Sequence, residues 1–167
     1  KLSTMMLASL VFALGVLAAS AVDPPCPQRC MCFKTTVRCM YLQLQNVPPV
    51  PSNTTVLDLR FNRIRTIEPG AFKRLKSLTT LLLNDNHIQS LKDGTFRGLS
   101  DLRHLYLYKN KIREITGKAL EGMPRLQQLY LHYNKIERIE PHVFDKLQNL
   151  ERLFLHENKL QHIYQGT

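Results

Sequence analysis

The segment LQQLYLHYNKIERI, residues 126–139, indicates the fold because the chain repeats its pattern at a fixed interval. The arrangement L-x-x-L-x-L-x-x-N-x-I-x-x-I, with leucine replacing an isoleucine in places, returns in residues 78–91, 102–115 and 150–163. A copy that begins with Thr54 in place of leucine precedes them. The central asparagines lie 24 residues apart, at Asn62, Asn86, Asn110, Asn134 and Asn158. Five copies in one register predict a stack of identical structural units.

Each position that recurs in all copies of the pattern has a structural role. The L-x-L segment predicts a short strand whose leucines face inward, because side chains alternate between the two faces of a strand. The asparagine follows where the chain turns, and its amide can satisfy backbone groups that the turn leaves unpaired. Stacked copies therefore predict a ladder of asparagines. Ten residues after the first four of them stand Phe72, Phe96, Leu120 and Phe144, which predict an apolar spine on the opposite side.

This pattern is identified as a leucine-rich repeat. The resemblance implies a solenoid, an α/β-type arc with a parallel β-sheet on its concave face and irregular or short helical segments on its convex face. We assign residues 54–167 to five repeats of 24 residues, the last one truncated. Five strands at about 4.8 Å spacing predict a concave face about 20 Å long.

Four cysteines precede the repeats, at Cys26, Cys30, Cys32 and Cys39. Behind an export signal, an even and clustered count favours disulfides over zinc, whose ligands usually come as C-x2-C pairs. The spacing C-x3-C-x-C-x6-C resembles the N-terminal cap of extracellular leucine-rich-repeat proteins. That resemblance implies the pairs Cys26–Cys32 and Cys30–Cys39 and a cap over residues 22–53. A cap is needed because the first repeat would otherwise expose its apolar end to water.

Residues 1–21 have the composition of an export signal. An uncharged apolar run is too short to span a bilayer comfortably, and it ends in the small residues Ala19, Ser20 and Ala21. We expect cleavage after Ala21, secretion to the extracellular space or matrix, and no membrane span. A signal anchor that stays in the membrane is the alternative.

The chain is strongly basic, with a formal net charge of +10. A basic secreted protein meets anionic matrix, cell surfaces and sulfated glycans before nucleic acid. We therefore expect an extracellular-matrix or cell-surface protein as partner, with sulfated glycans as a further class, and no nucleic acid. Local clusters occur at Arg60, Arg63 and Arg65 and again at Lys73, Arg74 and Lys76. The alternative interpretation is that these charges only keep the surface soluble.

The outward positions beside the strand leucines carry rings in the later repeats. Tyrosine and arginine often dominate binding energy at interfaces, so these positions predict a protein-binding face. The alternative is a cross-strand ladder that only stiffens the sheet. His132 and His156 occupy equivalent positions, but a third ligand is poorly placed, so we expect no metal there. The candidate binding residues are Tyr106, Tyr108, Tyr130, His132, Tyr133, Arg152, Phe154 and His156.

The sequence contains one modification motif and lacks the common catalytic ones. Asn53-Thr54-Thr55 is an N-glycosylation acceptor, so we expect a glycan at Asn53 unless the adjoining strand buries it. The sequence has none of the nucleophile, phosphate-loop or zinc-protease motifs that would indicate catalysis. We therefore expect no catalytic residues and no cofactor.

Several stretches are more specific than the general repeat. The cap CPQRCMCFKTTVRCM and the repeat segments VLDLRFNRI, LYLYKN, LYLHYN and LERLFLH resemble peroxidasins, including at variable positions. The resemblance implies an extracellular-matrix protein in which leucine-rich repeats accompany immunoglobulin-like domains and a haem peroxidase domain that cross-links collagen IV. No peroxidase residue matches this chain, so we expect binding and not catalysis from it. The alternative is the start of an adhesion or guidance ectodomain with no enzyme attached.

Overall fold

A single seven-stranded sheet organises the computed structural model, which describes residues 22–167. The strands are β1 (Met31–Phe33), β2 (Thr36–Arg38), β3 (Val56–Asp58), β4 (Thr80–Leu82), β5 (His104–Tyr106), β6 (Glu114–Ile115), β7 (Gln128–Tyr130), β8 (Arg138–Ile139) and β9 (Arg152–Phe154). In the seven-stranded sheet the order is β1, β2, β3, β4, β5, β7 and β9, and β6 pairs with β8 in a separate two-stranded sheet.

The strands of the repeats pair in parallel without any shift in register. Each strand's central leucine is aligned with the leucine 24 residues further along, so that Leu57, Leu81, Leu105, Leu129 and Leu153 form one row. The first four are completely buried, whereas Leu153 on the terminal strand is 37% exposed. Burial of each leucine contributes about 1.5–3 kcal/mol, and each needs the next repeat to cover it. The predicted leucine-rich-repeat arc with a parallel sheet is therefore confirmed.

The asparagines lie behind this sheet and link successive repeats. The side-chain nitrogen of Asn110 donates to the carbonyl of Leu83 in the preceding repeat at 3.0 Å and to that of Leu107 in its own at 3.1 Å. Its side-chain oxygen accepts from the backbone N–H of Ile88 at 3.0 Å. Asn62, Asn86, Asn134 and Asn158 bond in the same way. Each amide thus satisfies backbone groups of two repeats.

The convex side is built from turns, and residues 22–167 contain no helix. The resemblance implied either irregular or short helical convex segments, and the described convex segments are irregular. Phe72 and Phe96 are completely buried and lie parallel, with ring centroids 6.3 Å apart. Leu120 continues this spine, and Phe144 near the terminal repeat is only partly buried.

The cysteine region extends the sheet, which the cysteine spacing did not predict. Disulfides join Cys26 to Cys32 and Cys30 to Cys39. Strands β1 and β2 form an antiparallel hairpin, and β2 pairs in parallel with β3. The expectation of a five-strand face is therefore wrong, because the cap contributes two more strands. A cap that continues the hydrogen bonds of β3 protects both the apolar end of the solenoid and its sheet edge.

The predicted export signal, residues 1–21, lies outside the described residues. Among residues 22–167, no helix is long and apolar enough to cross a membrane.

Candidate protein-binding face

The outward side chains of the last three main-sheet strands form a column of stacked rings. Tyr106, Tyr130 and Phe154 are register partners on β5, β7 and β9. The Tyr106 and Tyr130 ring centroids lie 4.4 Å apart, and those of Tyr130 and Phe154 lie 4.7 Å apart. Both pairs are within 8° of parallel. All three side chains are half-buried, so ring edges remain accessible on the concave side.

A second column lies two residues further along each repeat. The rings of Tyr108 and His132 are stacked with centroids 4.6 Å apart, and those of His132 and His156 are stacked at 4.5 Å. His132 also meets Tyr130 and Phe154 edge-on at 6.1 Å, which joins the two columns. We call the six rings of both columns the aromatic face, namely Tyr106, Tyr108, Tyr130, His132, Phe154 and His156.

Two predicted binding residues border this face. Tyr133 is 49% exposed and meets His132 and His156 edge-on, both at 5.7 Å. Its backbone is left-handed, with φ of 53°, like every residue that immediately precedes a ladder asparagine. Arg152 lies on β9 in register with Gln128 and is exposed. Residue type does not predict this left-handed turn, because tyrosine and phenylalanine rarely adopt a positive φ.

The first two repeats present a different surface at the same positions. Asp58 replaces an aromatic ring on β3, and Arg60 replaces one two residues later. Their side chains form an ion pair at 2.7 Å, and the hydrogen bond to Asp58 raises the pKa of Arg60. The aromatic face is therefore confined to the three later repeats, and Arg60 is paired within its own repeat.

His132 is the most confined histidine of the aromatic face. Its side chain lies between Tyr108 and His156, and its Nδ1 atom is buried with no hydrogen-bond partner among the described residues. Burial lowers the pKa of His132, and the nearby His156 and Lys109 lower it further because they disfavour a second positive charge. The stack therefore favours a neutral imidazole at neutral pH.

This confinement predicts that the chain loses stability on mild acidification. The pKa of His132 in the folded chain lies below its ordinary 6.5, so the unfolded chain binds more protons once the pH falls below about 6.5. The free energy of unfolding then decreases with falling pH, until the folded-state pKa is passed. His132→Phe keeps an aromatic ring in the stack but cannot titrate. We expect its melting temperature to fall less than that of the wild type between pH 7.5 and pH 5.

Thermal unfolding at both pH values measures this effect, and His162→Gln is the control. His162 is exposed outside the aromatic face, so that variant should keep the wild-type pH dependence. An unchanged pH dependence in His132→Phe would contradict the assignment to His132.

The His132 and His156 rings are stacked on each other, and no group of three or more potential metal ligands converges among residues 22–167. The described cysteines are all in disulfides. Asn53 is exposed in the turn before β3, where an attached glycan would point into solvent.

Comparisons with known proteins define the class. The leucine rich repeat family model matches residues 51–88, 76–136 and 125–167, so the chain belongs to the leucine-rich-repeat family. It is 59% identical over 80 residues to "Peroxidasin homolog" of Homo sapiens, an alignment covering 46% of this chain and 5% of that protein. The predicted peroxidasin-family repeat region is confirmed by this similarity. The chain spans only about a twentieth of the length of this relative.

Other relatives share the repeats without the peroxidasin name. The chain is 47% identical over 62 residues to decorin of Canis lupus familiaris, which covers 36% of this chain and 17% of decorin. Among solved structures, it matches a chain of the octameric complex of Latrophilin 3, Unc5D and FLRT2, whose leucine-rich repeats are those of FLRT2. That match has a TM-score of 0.64 and 36% identity, and it covers 71% of this chain and 36% of the other.

Proposed function

We propose that the chain is a secreted, extracellular module that binds a matrix or cell-surface protein through its aromatic face. The observation that carries the proposal is the pair of stacked ring columns across β5, β7 and β9, whose edges stay accessible on the concave side. Aromatic rings held rigid by their neighbours lose little conformational entropy when a partner docks. The resemblance to peroxidasins and the FLRT2 complex support a role in protein interaction.

In this proposal the chain contributes binding and is not itself an enzyme. The resembled family's haem peroxidase chemistry belongs to a domain that no residue of this chain matches. The described residues offer a broad, ring-lined surface, which suits a macromolecular partner better than a small substrate. Within a peroxidasin-like protein, such a module would place the attached domains at the matrix.

The Tyr106→Ala/Tyr130→Ala variant tests the role of the aromatic face. Immobilised chain is titrated with a solubilised basement-membrane extract that contains laminin and collagen IV, and bound protein is measured by surface plasmon resonance. We expect the double variant to bind at least tenfold more weakly, because truncating buried interface rings typically costs 2 kcal/mol or more. The stacking itself contributes about 0.5–1.5 kcal/mol per pair, so the fold should persist.

A second stacked pair provides a matched control. Tyr41 and Phe61 are parallel at 4.6 Å, partly exposed and remote from the three later repeats. The Tyr41→Ala/Phe61→Ala variant removes the same kind of stack, so it should keep wild-type binding. If both variants bind as the wild type does, or both lose binding equally, the aromatic face is not the docking surface.

We also propose that Asn53 carries an N-linked glycan. The side chain is exposed, and the second threonine of the sequon hydrogen-bonds to the cap through the hydroxyl groups of Thr55 and Thr35, 2.8 Å apart. Chain secreted from mammalian cells should migrate faster after treatment with peptide-N-glycosidase F. Asn53→Gln should remove that shift, whereas a shift that persists in the variant would rule out this site.

A further inference from the structure

The residue that follows each ladder asparagine is basic in every repeat. These five residues are Arg63, His87, Lys111, Lys135 and Lys159, and we call them the basic row. No other surface position of the repeat carries arginine, lysine or histidine in all five copies. The asparagine ladder does not require a basic residue at the next position, because its hydrogen bonds involve only the asparagine side chain and backbone groups.

Backbone hydrogen bonds align the row across the solenoid. The N–H of Lys111 donates to the carbonyl of Ile88 in the preceding repeat at 2.9 Å, and Lys135 donates to Ile112 in the same way. The other three members make equivalent bonds of 2.9–3.0 Å to the preceding unit. Successive Cα atoms are therefore held about 4.8 Å apart, the spacing of neighbouring strands. Four of the side chains are exposed, and His87 is half-buried.

The charges of the basic row are not neutralised within residues 22–167. None of its members takes part in an ion pair there, although neighbouring repeats do pair charges elsewhere, as in Arg125–Asp101 and Arg138–Glu114. The nearest acids along the chain are Asp85, Glu137 and Glu157. The Cα atoms of neighbouring members are about 4.8 Å apart, within the Debye length of about 8 Å, so the charges of the arginine and the lysines repel one another and their potentials add. The fold therefore holds like charges close together, and a bound polyanion would relieve their repulsion.

Two observations place several positively charged side chains around one site near the cap. The pKa of His87 is lowered by burial and then by the charges of Lys111, Arg65 and Arg63. The positive charges of these three side chains therefore lie near the His87 imidazole. Arg63 and Arg65 also line a cleft of about 330 Å³ together with Gln45, Asn46 and Thr66. This cleft adjoins the first member of the row and offers amide and hydroxyl groups beside two guanidinium groups.

We propose that the basic row binds a linear sulfated polysaccharide, which runs across the repeats and reaches the cleft beside Arg63 and Arg65. Such a chain carries sulfate and carboxylate groups at regular intervals, and the aligned arginine and lysines of the row can bind these groups by charge and hydrogen bonds. Single-stranded nucleic acid fits less well because its binding uses aromatic faces on which bases stack. The rings of the aromatic face are already stacked on one another at 4.4–4.7 Å, so their inner faces are covered.

A fluorescent heparin decasaccharide tests the proposal by polarisation at 50–300 mM NaCl. We expect Lys111→Gln/Lys135→Gln to bind at least tenfold more weakly than the wild type, with a shallower dependence of affinity on salt. Lys73→Gln/Lys76→Gln removes the same charge from exposed convex positions and should stay within twofold of the wild type. Tyr106→Ala/Tyr130→Ala should retain heparin binding, so this site and the proposed protein-binding face can fail independently.

Three outcomes would overturn the assignment. Equal loss in both lysine variants would show that net charge alone attracts the decasaccharide. Wild-type affinity in Lys111→Gln/Lys135→Gln would place the site elsewhere. Tighter binding of a single-stranded RNA of equal charge than of the decasaccharide, at the same salt concentration, would identify nucleic acid as the ligand class. Melting temperatures of both variants near that of the wild type establish that each is folded.

Discussion

Replacing Asn110 by alanine is expected to lower the free energy of unfolding by about 3–5 kcal/mol. The side chain is only 7% exposed, and it accepts one backbone N–H while donating to two backbone carbonyls in two repeats. Alanine leaves the N–H of Ile88 without a partner, whereas the carbonyls of Leu83 and Leu107 keep the amides of the neighbouring ladder asparagines. An unpaired buried N–H costs about 1–3 kcal/mol and each lost bond to a carbonyl about 0.5–1.5 kcal/mol, and together these set the expected range.

Urea unfolding followed by circular dichroism measures this change. Asn149→Ala is the control, because the exposed Asn149 side chain makes a single hydrogen bond within residues 22–167, at 2.7 Å to the carbonyl of Pro124. We expect that variant to change stability by less than about 0.5 kcal/mol, as is usual for surface positions. A loss below 1 kcal/mol in Asn110→Ala would mean that water or local rearrangement replaces the amide.

The second large effect concerns the inner disulfide of the cap. Cys30→Ser/Cys39→Ser is expected to destabilise the chain by about 2–5 kcal/mol. Cys39 is completely buried, and its N–H donates to the carbonyl of Asp58 at 2.8 Å while its carbonyl accepts from Asn62 at 2.6 Å. The disulfide therefore holds the point at which β2 joins the first repeat. Amide hydrogen exchange should show lost protection first in β1, β2 and β3.

Cys26→Ser/Cys32→Ser is a matched comparison for the cap. The two disulfides close loops of similar sequence separation, 6 and 9 residues, but Cys26 and Cys32 are exposed. The entropic contribution of the two bonds should therefore be similar, and the difference should come from packing around Cys39. Equal destabilisation of both variants would assign the whole effect to loop closure.

The repeat positions that face inward were predictable because their spacing is rigid. A leucine such as Leu105 and an asparagine such as Asn110 each have one suitable environment in every repeat, so the 24-residue period determines their neighbours. The aromatic columns follow from the same register, since Tyr106 and Tyr130 are also 24 residues apart. Their stacking geometry, however, depends on side-chain rotamers that periodicity does not specify.

Features outside the period were not predictable in the same way. The hairpin of the cap pairs with β3 through backbone groups, which leave no signature in side-chain type. The weak pairing of β6 with β8 occurs in only two repeats, at Glu114–Ile115 and Arg138–Ile139. The basic clusters along the chain contain paired charges, Arg60 with Asp58 and Arg74 with Asp23, whereas the basic row becomes apparent only when the repeats are aligned.

The stacking of each repeat on the one before it has a consequence for biosynthesis. Every repeat finds its hydrogen-bonding partners about 24 residues upstream, and the cap that starts the sheet precedes them all. A ribosome adds 24 residues in about 1–5 s, whereas hairpins and short loops close in microseconds. Each new unit can therefore dock on a finished template as it emerges, and the molecule can be completed in the order in which it is translated.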